Sequence, residues 1–230
     1  MGRQSTGQFD RDMEEGRIYA VTKQFKDAET RALGDIHALL SQTSAYVALS
    51  WGKQSIVLAH LAWRVSPEIL CVHWSGQDAD IIADFDATRD AFLRYYPINY
   101  LECSRGERWL KEAGVQLMQE GGYGGLLIGL ASWESKGRRY ALGKAGENNI
   151  YRYADGRLRC CPIARWGKLE LAAYIAKYQL PVLSTYRRLG LDVRTSAGLT
   201  PGSHAEAGID HLPSKDLEEW RRRWSERGEL

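Results

Sequence analysis

The chain has 230 residues, 44% hydrophobic and 26% charged, with 31 Lys and Arg against 29 Asp and Glu. A chain of this size buries roughly 70 to 75% of its unfolded surface and needs neither disulfides nor a structural metal to fold. No apolar run approaches the roughly 20 residues that cross a bilayer, and Met1 to Asp12 lacks the apolar centre of a signal peptide, which excludes membrane and secreted classes and leaves a cytoplasmic protein as the expectation.

Residues 1–26 are polar, contain glycine and show no sustained period, which predicts a loosely held arm. Asp27 caps a predicted helix in which Leu33, Ile36, Leu39 and Leu40 recur at spacings of three and four. Ala45 to Leu49 is a continuous apolar run, as in a strand buried on both faces of a parallel sheet. A helix over Ser55 to Trp63 follows, then a strand over Ile69 to Trp74, a helix from Asp78 to about Tyr96, and a strand over Ile98 to Glu102. After a helix over Glu107 to Gln119, Gly125 to Leu130 is the next strand. This alternation is that of an open α/β sheet whose right-handed crossovers gather the loops after the strands on one edge. Asn149 to Tyr153 and Arg157 to Cys161 read as a hairpin around Asp155-Gly156. A helix spans Gly167 to Tyr178, with Leu171, Tyr174, Ile175 and Tyr178 on one face. The segment 196–208 reads as a linker, and Ser214 caps a last helix.

The most informative stretch is Ser50-Trp51-Gly52-Lys53-Gln54-Ser55, between a buried strand and a helix. Such a turn can wrap backbone N–H groups around a phosphate while the helix dipole favours its charge, with Gly52 allowing close approach and Lys53 adding a cation. A polar turn with a capping serine is the plainer alternative. It is not the Walker loop, whose spacing is absent. The stretch resembles the loop of the PP-loop superfamily, the adenine nucleotide alpha-hydrolase-like proteins, and Trp51 takes the aromatic place of the PAPS reductase-like branch. Two further stretches resemble that branch in the right order. They are Gly129-Leu130-Ala131-Ser132-Trp133-Glu134-Ser135-Lys136-Gly137-Arg138, and Pro162-Ile163-Ala164-Arg165-Trp166 with Tyr174-Ile175 and Leu180-Pro181. The resemblance covers roughly residues 30 to 190 and departs from the family at Gln54, Trp74 and Ala131, where Asp, Asp and Arg are usual.

The resemblance implies a three-layer α/β sandwich with a mainly parallel sheet, extended by a short hairpin and a helical C-terminal segment. Its domains would be 27–195 for nucleotide binding and 196–230 for linker and terminal helix. It implies ATP, or PAPS, as ligand. Ser50, Trp51, Gly52, Lys53, Gln54, Ser55, Ser75, Gly129, Glu134, Arg138, Arg139 and Arg165 would hold the nucleotide, and Lys53 and Arg138 would be catalytic. Magnesium would come with the phosphates, and no protein metal site and no iron–sulfur cluster are expected, since the histidines show no ligand spacing and nothing completes Cys160-Cys161. The implied reaction is cleavage of ATP between its α and β phosphates to adenylate an acceptor.

Sulfonucleotide reduction is the second reading. It needs a nucleophilic cysteine, and none follows Cys161. The third is a nucleotide- or nucleic-acid-binding module without chemistry. Nine Lys and Arg between Glu134 and Lys168, interleaved with aromatics, make nucleic acid a candidate partner or acceptor beside a small molecule. A homo-oligomer is left open.

Overall fold

The computed structural model describes residues 7–75, 85–104, 120–134, 136–143, 146–154 and 156–193. The expected helix over 107–119, the onset of the helix from Asp78, the linker and the terminal helix lie outside them. Helices α1 (Gln8–Ala20) and α2 (Lys23–Leu40) lead into β1 (Ala45–Ala48), α3 (Lys53–Val65), β2 (Leu70–Ser75), α4 (Phe85–Tyr95), β3 (Asn99–Ser104) and β4 (Gly125–Ile128). A 3-10 turn (Ser132–Glu134), α5 (Lys136–Leu142), β5 (Ile150–Arg152), β6 (Leu158–Cys160), α6 (Lys168–Tyr178) and α7 (Ser184–Leu189) complete the described chain.

The six strands form one sheet in the order β3-β2-β1-β4-β6-β5. All neighbours are parallel except β5, which runs antiparallel to β6 at the edge. The pleat sorts alternate residues to opposite faces. Leu127, Cys160 and Ile150 join the main core with Ile36 and Leu39 of α2, Ile56 of α3 and Leu171 of α6. Ile128, Tyr151 and Cys161 instead meet Leu142 of α5 in a smaller cluster. Helices therefore cover both faces, which is the three-layer α/β sandwich the sequence implied. Among the described residues no helix is long and apolar enough to cross a membrane.

The segment 8–20 corrects the expectation of a loose arm: it is helix α1, and it packs along α6 and α7. The contact is close enough that a Cβ on Gly16 would stand 2.6 Å from the Ala172 carbonyl carbon. Its apolar residues are too few to show a period, so composition concealed a helix that only tertiary packing explains. Helix α2 also starts earlier than expected, because Thr22 and not Asp27 caps it, accepting from the Phe25 N–H at 3.3 Å. The hairpin stands as read, turning through Gly156 at φ 85°.

Helices α2, α3 and α6 are tied by a polar cluster. Glu29 accepts from Arg64 at 2.5 Å, Lys177 at 2.7 Å and the Tyr178 hydroxyl at 2.6 Å. Arg64 also donates to the Tyr174 hydroxyl at 3.2 Å, which faces His60 Nδ1 at 2.8 Å. Burial first, and the Arg64 charge second, push the His60 pKa down to about 4. An unfolded His60 would titrate near its ordinary value, about 6.5, so stability is full above that value and falls as pH drops towards 4, by at most about 1.4 kcal/mol per pH unit. Urea unfolding at pH 5.0 should therefore give about 2 kcal/mol less stability from His60 than at pH 7.5. His60→Gln should flatten that dependence; equal slopes in both proteins would remove His60 as its source.

Candidate functional site

The site is built where β1, at the centre of the sheet, hands over to α3. The Leu49 N–H donates to the Val72 carbonyl at 2.9 Å, and the Leu49 carbonyl accepts from His73 Nδ1 at 2.8 Å. Burial lowers the His73 pKa, the Leu49 bond opposing it, so His73 holds the strand end as a neutral ring with its proton on Nδ1. The chain then turns through Trp51 at φ 56°, the left-handed region that a bulky residue avoids. The indole is fully buried and meets the edges of Tyr100, Phe92 and His73 at centroid distances of 5.6, 5.7 and 6.4 Å. Aromatic packing thus fixes a backbone conformation that local preference opposes.

Gly52, extended at φ −69° and ψ 160°, caps α3. The Ser55 hydroxyl donates to the Gly52 carbonyl at 3.0 Å and accepts from the Ser50 N–H at 3.1 Å and the Ser50 hydroxyl at 3.2 Å. The serine hydroxyls therefore hold the loop's shape. The amides of Lys53, Gln54 and Ser55, in the first turn of α3, have no acceptor within the helix. Of these, the Lys53 amide donates to the Tyr186 hydroxyl at 3.4 Å.

Facing this turn, a Cβ on Gly129 would lie 2.9 Å from the Gln54 carbonyl oxygen and 3.1 Å from the Ser55 nitrogen, so only glycine lets the end of β4 come this close. The next turn brings in Glu134, whose side chain is 4% exposed. Gln54 Nε2 donates to Glu134 Oε1 at 2.5 Å, and the Arg138 guanidinium pairs with Oε2. Lys53 Nζ stands 3.9 Å from the same Oε1, donates to the Val193 carbonyl at 2.8 Å and lies 4.8 Å above the Tyr186 ring. Lys53 and Arg138 thus place two cations about the Glu134 carboxylate, beside the loop.

The structure thus joins Ser50, Trp51, Gly52, Lys53, Gln54, Ser55, Gly129, Glu134 and Arg138. Ser75 ends β2 in register with Ser104, at the same sheet edge. Arg139 is exposed on α5. Arg165 stands apart, lining a cavity with Asp35 and Asn149. The sequence reading missed His73, Tyr186 and the Val193 carbonyl, and for the latter two there was no signal, since they come from segments more than 130 residues beyond the loop.

Other cations of the basic stretch are also engaged. Lys168 pairs with Asp12 and Asp192 at 3.2 and 2.8 Å, and the Arg159 guanidinium lies 4.7 Å above the Tyr151 ring. Cys160 and Cys161 are fully buried, and burial raises both thiol pKa values, that of Cys161 to about 11.

Trp51→Gly sets two terms against each other. Relief of the left-handed backbone gains about 1 to 2 kcal/mol, whereas emptying the site of a buried tryptophan costs about 3 to 5 kcal/mol. A net loss of about 2 kcal/mol in urea unfolding is expected, and a gain in stability would show that the turn is strained more than the indole is packed.

No protein-family model and no curated protein sequence matches the chain. Among solved structures it is similar to the FMN adenylyltransferase of Candida glabrata in complex with FAD and inorganic pyrophosphate, at TM-score 0.56 and 15% identity, over 84% of this chain and 70% of that one. It is similar to the U34-tRNA thiolase NcsA of Methanococcus maripaludis, a structure with a 4Fe-4S cluster, at TM-score 0.51 and 14% identity, over 89% of this chain and 81% of that one. A PAPS reductase of Candida auris, in a phosphate complex, matches at TM-score 0.49 and 10% identity over 71% of this chain and 90% of that one, too slight a likeness to choose a branch. With its strand order, the helix springing from the end of the central strand and these neighbours, the chain has the PP-loop fold of the adenine nucleotide alpha-hydrolase-like proteins.

Proposed function

We propose that the chain binds ATP at the Ser50–Ser55 turn and transfers its adenylyl group to an acceptor, releasing pyrophosphate. The observation that carries this reading is the turn itself: first-turn amides of α3 at the end of the central strand, kept open by Gly129 and flanked by the Lys53–Glu134–Arg138 cluster. A helix N-terminus, whose first-turn N–H groups have no acceptor within the helix, favours an anion, and the cations of Lys53 and Arg138 stand beside it. An acceptor oxygen attacks the α phosphorus, the bond from that phosphorus to the oxygen bridging to the β phosphorus breaks, and the proton of the acceptor leaves to solvent. The amides of Gln54 and Ser55 hold the departing pyrophosphate as its charge grows.

Lys53 contributes through the field of its buried ammonium, and Arg138 through its charge from the outer side of Glu134. Magnesium enters with the nucleotide. The Glu134 carboxylate already receives Gln54 and Arg138, so it offers no ready metal ligand. That an adenylyltransferase of the same fold is found with ATP in one structure, and with FAD and pyrophosphate in another, agrees with this reading.

Sulfonucleotide reduction is the weaker reading, because burial keeps the thiols of Cys160 and Cys161 protonated and out of reach of solvent. The test is the product pattern from α-labelled ATP, supplied with small-molecule and nucleic-acid fractions of a cell extract as acceptors. AMP or an adenylated acceptor with pyrophosphate is expected. ADP with orthophosphate, or sulfite from PAPS in a reaction lost on Cys160→Ser, would overturn the proposal.

A further inference from the structure

Away from the loop, an open cavity of about 570 Å³ lies between α2, the Asn148–Asn149 turn and the start of α6. None of its lining residues belongs to the Ser50–Ser55 turn or to the Glu134 cluster. Its volume is in the range of small-molecule sites. At its wall Asp35, only 6% exposed, accepts from Asn149 Nδ2 at 2.6 Å. Asn148 and Asn149 hold this wall in consecutive left-handed conformations, φ 56° and 50°, a local cost that the surrounding contacts sustain.

The charges of the cavity are unevenly matched. Asp27 is on Lys23 at 2.6 Å, and Glu170 accepts from the Tyr19 hydroxyl and the Gly167 N–H, both at 2.9 Å. Arg31 and Arg165 act on Asp35 through space, yet neither guanidinium has a hydrogen-bonded or ion-paired partner among the described residues. Two guanidiniums present enough forked donors for a doubly charged oxyanion, where a carboxylate needs one. Burial raises the Asp35 pKa, so its carboxyl gains by receiving a further hydrogen bond.

Gly34 adds an independent observation. It sits inside α2, where glycine costs roughly 1 kcal/mol against alanine, and a Cβ there meets nothing within 4 Å. Packing against the fold does not demand the glycine; a side chain at this position would stand in the cavity.

We propose that this cavity is a second ligand site that takes a phosphate monoester of a small hydroxylated molecule, the phosphate between Arg31 and Arg165 and a hydroxyl on Asp35. The site does not rest on the adenylyl-transfer reading. The test is calorimetric titration of the full chain with ribose 5-phosphate, glycerol 3-phosphate and glucose 6-phosphate, and with inorganic phosphate, ribose and malate as controls. At least one ester should bind saturably, at least about tenfold more tightly than any control.

Gly34→Met should abolish that binding while its melting temperature stays at or above that of the unaltered chain, and Arg31→Ala with Arg165→Ala should weaken it at least about tenfold. Gly129→Val should leave it unchanged, which separates this site from the loop. Failure of every ester to bind, preference for malate or for inorganic phosphate, or undiminished binding in Gly34→Met would overturn the proposal.

Discussion

Glu29→Ala should lower the stability of the chain by about 3 kcal/mol, the largest effect expected of any side chain outside the apolar core. Three donors from two other helices converge on this carboxylate, and its removal leaves Arg64, Lys177 and Tyr178 without their common acceptor. The loss stays at the lower end of the range for broken buried pairs because Arg64 and Lys177, 28% and 36% exposed, can turn to water. Burial alone would raise the Glu29 pKa, but the bonds from Lys177, Tyr178 and Arg64 outweigh it and hold the value below the ordinary carboxylate range. Its contribution is therefore present above that range and disappears as pH falls through the lowered value. Glu29→Gln, which keeps the shape and loses the charge, should fall between the two proteins in urea unfolding at pH 7. A loss below about 1 kcal/mol for Glu29→Ala would mean that the cluster is solvated and contributes little, as surface pairs do.

Gly129→Val should remove nucleotide binding while leaving a folded chain. The new Cβ would lie 2.9 Å from the Gln54 carbonyl oxygen and 3.0 Å from its carbon, both of them backbone and unable to swing aside as a side chain can. Either β4 or the first turn of α3 must move, at a cost of about 1 to 3 kcal/mol in stability. The amides that would hold the phosphates then lose their common direction, and affinity should drop by at least about tenfold, or 1.4 kcal/mol. Circular dichroism confirms folding in the same sample. Unchanged affinity would show that the nucleotide sits elsewhere.

The parts of the fold that were legible in the sequence were those with a local signature. The run Ala45 to Leu49 announced a strand buried on both faces, and Ser50 to Ser55 announced the turn after it. Helix α1 was not legible because its stability comes from Gly16 lying on the backbone of α6, a contact made across about 150 residues. At the site, the residues of the three motifs were read, but their relations were not. Lys53 looked like a cation free to meet a phosphate, whereas its ammonium is buried on the Val193 carbonyl. Gln54, a departure from the family pattern, turns out to bridge the loop to Glu134. Arg165 matches a family motif, yet it lines a cavity with Asp35 that the loop does not share. Hydrogen-bond partners distant in sequence leave no trace in spacing, so the identities could be listed from one chain and the geometry could not.

The central claim is that the turn between β1 and α3 is a nucleotide site, and calorimetric titration of the unaltered chain with ATP and magnesium tests it most directly. Saturable binding of one ATP per chain, displaced by pyrophosphate and unaffected by Gly34→Met, is the predicted result. No measurable affinity for ATP or PAPS at millimolar concentration would contradict it.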